Sequence, residues 1–492
     1  MSNQLSFLTQ LQATYSWFQP LCDLLARQAE TQAWLVGGAV RDWLHAQRIS
    51  ADLDIVLTGC PAERVARQTA DVLSGHFVPL DWAFGIHRVV LTVNPDNPDQ
   101  LVYLDFADAL EQDIVRDLGR RDLTVNAMAV DIRTGALLDP CQGEADLRHR
   151  YIRMVSEQNL TDDPLRLLRV FRFAAGLSTS ATSAQIDPAT LDAVEHHAGL
   201  LWNVAGERIQ VEWLRLLSAD DCFPAVQAMA GTGLLEVLMP ELEPTRAIPA
   251  NGFHHLGLFD HTLELVRQAE RLFSTLPDPA RGWLNQLVQP QVSRLGLVKL
   301  SCLLHDIGKP MTLDKKDDPV YGERLTFYGH EEQGAVLCRS WLERIRVSHE
   351  IKNRVEKLVR WHLYPCQFGP DSPRKSLLRF YRRMADDTPD ILLLAMADRH
   401  STQGPWLKPE ELGIADAKLR WLLDTYYAEI PTLRQPRLLN GHDVMQLLNI
   451  PPGPHLRLIL DALQEAQQLG DIQTAEDARH WLTQHAEQFI VN

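Results

Sequence analysis

The chain reads as an α+β protein: a small mixed sheet near the N-terminus, followed by helices. Three observations predict this. Between Trp34 and about Pro140, short apolar runs at 34–36, 55–57, 88–93, 101–106 and 127–132 alternate with helix-period segments, the pattern of a sheet crossed by helices. After Asp139-Pro140 the helical period holds to the end of the chain. A length of 492 residues exceeds what one core supports, so several domains are expected.

Composition bounds the function before any motif is read. Hydrophobic residues make up 45% of the chain, which fits a well-packed protein and excludes a disordered one. The seven cysteines show no CxxC pairing, which points to a reducing compartment and away from a disulfide framework or a thiolate zinc site. No run of about 18 apolar residues is present and no basic segment precedes the first apolar stretch, so the expectation is a cytoplasmic protein with no membrane partner. A net charge of −16 argues against a broad nucleic-acid-binding surface but leaves room for a local groove. Between Arg116 and Arg172 the basic residues are all arginine, the better choice for bidentate contacts to phosphates and base edges.

In chain order, residues 1–32 read as amphipathic helix broken at Pro20. The stretch 34–57 then carries the chemistry: an apolar strand, the pair Gly37-Gly38, a helix to about Gln47, and a second strand entered through Asp52-Leu53-Asp54. Residues i and i+2 of a strand share a face, so Asp52 and Asp54 stand side by side. Paired carboxylates at that spacing can hold two magnesium ions about 3.5–4 Å apart, the arrangement that drives in-line displacement at phosphorus. A glycine turn at a helix N-terminus offers free backbone N–H groups to a triphosphate. Cradle and carboxylate pair together read as nucleotidyl transfer.

Two further motifs follow. In 117–126, Arg120, Arg121 and Asp122 lead into a strand. They are either an exposed charged turn or the wall of a pocket in which arginine meets phosphate and Asp122 or Asn126 meets ribose. In 161–172, Thr161 or Asp162 is placed to cap a helix with Pro164 in its first turn, and Arg166, Arg169 and Arg172 recur every third residue. Such a stripe is either a wet helix face or, with Asp162 and Asp163 one turn ahead of Arg166, a reader of a base edge. Residues 176–188, rich in Ser and Thr, read as a loop, and further boundaries fall at 240–249 and at 404–409 or 431–436.

The strings LVGGAVRD…DLD, RRDLTVNA, DDPLRLLRVFRFAA and GERIQVEWLRLL, in this order over residues 33–245, resemble the class II (bacterial-type) tRNA nucleotidyltransferase and poly(A) polymerase family; residues 438–482 resemble its C-terminal segment. The resemblance implies a polymerase-β-like nucleotidyltransferase head with a small mixed sheet, then all-α neck, body and tail. The implied segments are a helical extension (1–32), head (33–140), neck and body (141–245), a further helical domain (250–405) and tail (406–492). It implies extension of the tRNA 3′ end from CTP, with ATP as a second candidate donor. Asp52 and Asp54 would bind Mg²⁺. Gly37, Gly38 and Arg41 would contact the triphosphate, and Arg120, Arg121, Asp122 and Asn126 the nucleotide and its ribose. Asp162, Asp163 and Arg166 would select the base with Arg169 assisting, and Glu212 would brace that helix.

Two departures are visible. Asp162 stands where the family usually has Glu. The connection from Leu104-Asp105-Phe106 to the RRD string is short, as in the subset that adds two cytidines and leaves the terminal A to a partner enzyme. Short connections also occur in poly(A) polymerases, but 84–88 lacks the arginine-rich string of that branch. Asp105 is either a third metal carboxylate or a structural residue.

The middle of the chain carries a second constellation: His261, His305-Asp306, His330, His362 and Asp398, with Gly308 as an expected helix stop. Mixed imidazole and carboxylate ligands suit Mn, Ni, Fe or Mg. In this order they resemble the HD superfamily of metal-dependent phosphohydrolases, with His261, His305, Asp306 and Asp398 as core ligands and His330 and His362 holding a second metal or a phosphate. A phosphatase or cyclic phosphodiesterase is therefore the rival reading of the chain's main activity.

Overall fold

The computed structural model describes residues 2–28, 30–81, 85–94 and 97–485. Its chain divides into two units, Met1–Pro240 and Glu241–Asn492.

The first unit is built on a seven-stranded sheet: β1 (Gln32–Val36), β2 (Asp52–Thr58), β3 (His76–Asp81), β4 (Ile86–Asn94), β5 (Asn97–Asp108), β6 (Ala129–Asp131) and β7 (Leu137–Leu138), in the order β3-β4-β5-β2-β1-β6-β7. Only β2 and β5 run parallel. On β2, Leu53, Ile55 and Leu57 are buried while Asp52 and Asp54 stay exposed, so the period-2 alternation turns both carboxylates to one open face. The helices Gly38–Ala46 and Ala62–Leu73 bury Val40 and Trp43, and Val65 and Ala66. β3 is absent from the sequence-based expectation. Its Pro79 argues against a strand, yet β3 lies at the sheet edge, where a missing N–H is tolerated. Of the string 84–88, Phe84 lies outside the described residues.

The expected break at Pro20 is corrected. The helices are Ser2–Thr14 and Phe18–Ala26, and Pro20 sits in the first turn of the second, where its missing N–H has no helical acceptor to lose. Further along, helices Leu165–Leu177 and Gly206–Leu217 bury Leu168, Phe171, Trp213 and Leu216. The expected loop at 176–188 begins later, since Gly176 is still helical. It also contains a two-residue strand, Gln185–Ile186, paired in parallel with Tyr151–Ile152.

The second unit holds helices Leu258–Phe273, Arg294–Leu304, His330–Arg344, His349–Trp361 and Thr388–Ser401. The last is apolar almost all round and buries Ile391 through Ala397, as a central helix must. A hairpin, Asp314–Asp318 with Gly322–Thr326, interrupts the helical run. Helix Pro409–Leu433 is followed by Gly441–Leu448, Pro454–Leu469 and Ala475–His485, which close around their own core of Leu439, Val444, Ile459, Leu463 and Leu482. No helix among the described residues is long and apolar enough to cross a membrane.

Candidate functional site

The open face of the sheet gathers the first set of predicted residues. Gly37 caps helix Gly38–Ala46 at φ +68°, and a Cβ there would lie 3.0 Å from Arg121 Nη1 and 3.1 Å from Asp54 Oδ2. The positive φ requires glycine, and a Cβ would in addition crowd the ends of two side chains of the site. The parallel register sets Asp54 beside Asp105, and the antiparallel register sets Asp105 beside Arg88. Asp54 keeps access to solvent. The surrounding protein pushes its carboxyl up to about 6, against Arg121 and with help from Asp52 and Asp105. Asp52 is raised as well, by burial and then by Asp105. Two carboxylates that resist ionising side by side form a donor set a divalent cation would relieve. Asp105 makes a bidentate pair with Arg88, both contacts at 2.7 Å.

A continuous polar chain leads away from this face. Arg41 Nη1 donates to Asn126 Oδ1 at 2.7 Å, and Asn126 Nδ2 donates to Asp122 Oδ1 at 2.9 Å. Arg169 Nε donates to Asp122 Oδ2 at 2.7 Å, and its Nη1 to Glu212 Oε1 at 3.2 Å. Arg172 Nε lies 2.5 Å from the other Glu212 oxygen. Burial of Asp122 raises its carboxyl, but Arg169, Asn126 and the Leu123 N–H together hold it below the ordinary range. Arg41 and Arg172 both pack over the Phe173 ring, at 4.8 and 3.5 Å. The 122–126 end of the motif is thus a buried wall, with Asp122 and Asn126 4% and 5% exposed, while Arg120 stays exposed. Arg120 pairs with buried Asp117 at 2.6 Å.

At 161–172 the capping expectation is corrected. Thr161 and Asp162 end a preceding helix, Glu157–Asp162, and Pro164 starts Leu165–Leu177 with no side-chain cap. Asp163 accepts from Arg208 Nη2 at 2.8 Å, Asp162 from Gln158 at 2.7 Å, and Arg166 Nη1 donates to the carbonyls of Arg120 and Asn159 at 2.8 and 3.0 Å. The arginine stripe is an anchored, half-buried face and not a wet one.

In the second unit, His261, His305, Asp306, His330, His362 and Asp398 come together. Among the described residues, two converging ligand groups are His261–His305–Asp398 and Asp306–His330–His362. Asp306 bridges them, with Oδ2 3.0 Å from His305 Nε2 and Oδ1 3.1 Å from His330 Nε2. His261 Nε2 lies 3.3 Å from Asp398 Oδ1. The second contact of each ring decides its proton. Nδ1 of His305, His330 and His362 faces the carbonyl of Cys302, Phe327 and Val359 at 2.9, 2.7 and 2.7 Å, and that of His261 faces Ser401 at 3.4 Å. A carbonyl only accepts, so each Nδ1 carries a hydrogen and each Nε2 is the ring atom turned into the cluster. His330 Nε2 and His362 Nε2 face one another at 3.3 Å, and His261 Nε2, His305 Nε2 and Asp306 Oδ1 are buried without a hydrogen-bond partner. Such a cluster fits divalent cations. Burial and His305 push His362 down to about 4, which keeps that ring neutral. Gly308 is not the helix stop expected, because helix Arg294–Leu304 already ends at His305. Its φ is negative, and glycine is needed because a Cβ would strike the His330 carbonyl at 2.1 Å.

Sequence reasoning left several participants without a role. Arg88 lies on an ordinary alternating strand, and Asp117 and Arg208 outside its assigned roles. Lys309, whose Nζ is 2.5 Å from Asp306 Oδ2, stands three residues after that aspartate and was the one with a local signal.

The carboxylate-bearing sheet with its glycine-capped helix, and the His–Asp cluster on helices, define the class: a nucleotidyltransferase head joined to an HD domain. Matches to family models agree with this, for the Poly A polymerase head domain over residues 33–153, the probable RNA and SrmB-binding site of polymerase A over 185–245, and the HD domain over 258–403. An A-adding tRNA nucleotidyltransferase of Deinococcus radiodurans is 36% identical over 93% of this chain and 96% of its own. A CC-adding tRNA nucleotidyltransferase of Thermus thermophilus is 34% identical over 92% and 93%. The chain belongs to the tRNA nucleotidyltransferase and poly(A) polymerase family. Its fold matches that of a Thermotoga maritima CCA-adding enzyme complexed with tRNA, at 19% identity and a TM-score of 0.58 over 95% of this chain and 94% of that one. Nucleotidyltransferase and HD families alike are metal-dependent.

Proposed function

We propose that this protein extends the 3′ end of tRNA from CTP by nucleotidyl transfer. The tRNA 3′-hydroxyl attacks the α-phosphorus and pyrophosphate leaves. The observation that carries this reading is the Asp52–Asp54 pair on the open sheet face directly beside the Gly37 turn. Asp52 and Asp54 would hold Mg²⁺, which supplies Lewis acidity at phosphorus. Gly37 and Gly38 present backbone N–H groups to the triphosphate, and Arg41, Arg120 and Arg121 supply positive charge. Asp122 and Asn126 face the ribose, held by Arg169 and braced by Glu212. Asp162, Asp163 and Arg166 read the base, and the two carbonyl anchors of Arg166 support that role by fixing its guanidinium.

The short connection between β5, which ends at Asp108, and helix Ile114–Gly119 favours stopping after two cytidines. A separate enzyme would then add the A, and ATP would not be a donor here. Full CCA addition is the second reading. The His–Asp cluster supports a further phosphohydrolase activity, with Mn, Ni, Fe or Mg on His261, His305, Asp306 and Asp398 and a second ion or a phosphate at His330 and His362. This reading takes the head, neck and body, HD domain and tail with the bounds proposed from the sequence, and places the protein in the cytoplasm. Purified protein with Asp52→Asn tests the first activity, and His305→Ala the second. Transfer surviving in the first variant would overturn the assignment.

A further inference from the structure

The Arg88–Asp105 pair takes no part in the proposed reaction, and its position is specific. Three adjacent strands, β4, β5 and β2, place Arg88, Asp105 and Asp54 in direct register, so all three side chains share the open face. Arg88 holds both Asp105 oxygens at 2.7 Å and reaches to 3.7 Å from Asp52 Oδ1. Its guanidinium lies 4.7 Å from the centre of the Tyr103 ring, which blocks retreat to one side. The Asp105 side chain is 14% exposed, and both its oxygens are occupied. A third carboxylate thus stands within reach of the other two, yet is already committed to a cation of the protein itself.

We infer that Arg88 is a positioning residue for the metal site: it withdraws Asp105 from metal ligation and neutralises it, so that the site binds divalent ions through Asp52 and Asp54 alone. The inference rests on the proposed role of those two carboxylates. Its physical content is a charge count. Arg88 and Asp105 together add nothing to the net charge of the site, whereas either one alone adds a full unit a few ångströms from the ion.

Opposite effects follow for the two halves of the pair. Arg88→Met keeps an apolar stem against Tyr103 and frees a carboxylate, so divalent-ion affinity rises. Asp105→Asn keeps the shape and leaves Arg88 uncompensated beside Asp52, so affinity falls. A unit charge roughly 6 Å from a divalent ion, even in a water-like dielectric, changes affinity by about tenfold. The double variant removes the pair as a neutral unit and returns affinity to within about twofold of the starting protein. Arg88→Lys, which keeps the charge, stays within the same range.

Mn²⁺ binding to the full-length protein, followed by electron paramagnetic resonance, tests this without reference to turnover. The sites to follow are those lost in Asp52→Asn, which separates them from the His–Asp cluster. A tenfold gain for Arg88→Met, a tenfold loss for Asp105→Asn and near-restoration in the double variant support the inference. Shifts of the same sign in both single variants, or none, overturn it and indicate a purely structural ion pair. If Asp52→Asn removes no Mn²⁺ at all, the metal-site reading fails instead, and the inference falls with it.

Discussion

Replacing Arg169 with methionine tests the polar chain that joins the sheet face to the helices. Arg169 makes two charge-assisted contacts, to Asp122 at 2.7 Å and to Glu212 at 3.2 Å, and both acids are buried. Asp122 would keep Asn126 and the Leu123 N–H, and Glu212 would keep Arg172. Neither is orphaned completely, and the partly open Arg169 site admits some water. A charge-assisted hydrogen bond contributes about 1.5–3 kcal/mol, and breaking a fully buried pair costs about 3–5, so a net loss of about 2–4 kcal/mol is expected. Hydrogen exchange of amides in helices Leu165–Leu177 and Gly206–Leu217 reads this locally, without requiring the whole chain to unfold in one step. The variant should also lose part of its acid sensitivity. Asp122 is depressed in the folded state, so its contribution is complete above the ordinary carboxylate value of 3.8 and is lost as pH falls through the lower folded value. Protection reduced by less than about 0.5 kcal/mol, with acid sensitivity unchanged, would refute the view that Arg169 holds the chain together.

Four further outcomes are expected. Asp52→Asn or Asp54→Asn should lower nucleotide transfer at least about a hundredfold with little change in melting temperature, because both side chains sit on the open face of β2. Gly37→Ala should cost about 1–2 kcal/mol for its left-handed backbone and reduce transfer further by crowding Asp54 and Arg121, measurable by melting and by single-turnover assay. Mg²⁺ affinity of the head should weaken as pH falls through about 6, since the proton competes for the raised Asp54 carboxylate; calorimetric titration at pH 5 and 7.5 checks the sign. His305→Ala should abolish any phosphohydrolase activity and the stabilisation of the protein by added Mn²⁺ or Ni²⁺, while leaving nucleotide transfer intact.

The parts of this architecture that were legible in the sequence are those where chemistry forces a local pattern. The Asp52–Asp54 alternation dictates a shared face whatever the rest of the fold, and Gly37 is glycine for a reason visible in a single turn. The ordered His and Asp residues signalled a cluster, although nothing in their spacing shows that Asp306 bridges two halves or that four carbonyls set the tautomers. The bridge joins residues of different helices, and three of the four carbonyls lie three residues before their histidine, a contact that depends on how each helix begins or ends. β3 was hidden because Pro79 is acceptable only at an edge, and edge position is a property of the assembled sheet. Arg88 was invisible for a similar reason: its meaning arises from register with β5, 17 residues away. The arginine stripe looked more like a solvated face than a base reader, and it is Glu212, from another helix, that closes on Arg169 and Arg172.

The most direct measurement supplies purified protein with a tRNA lacking its 3′ end and with CTP alone, ATP alone, or both. The proposed reading predicts extension by two residues with CTP, none with ATP, and no further growth with both, all abolished by Asp52→Asn. Failure to extend the tRNA with either nucleotide, or extension that survives loss of Asp52, would contradict the assignment of nucleotidyl transfer to the open face of the sheet.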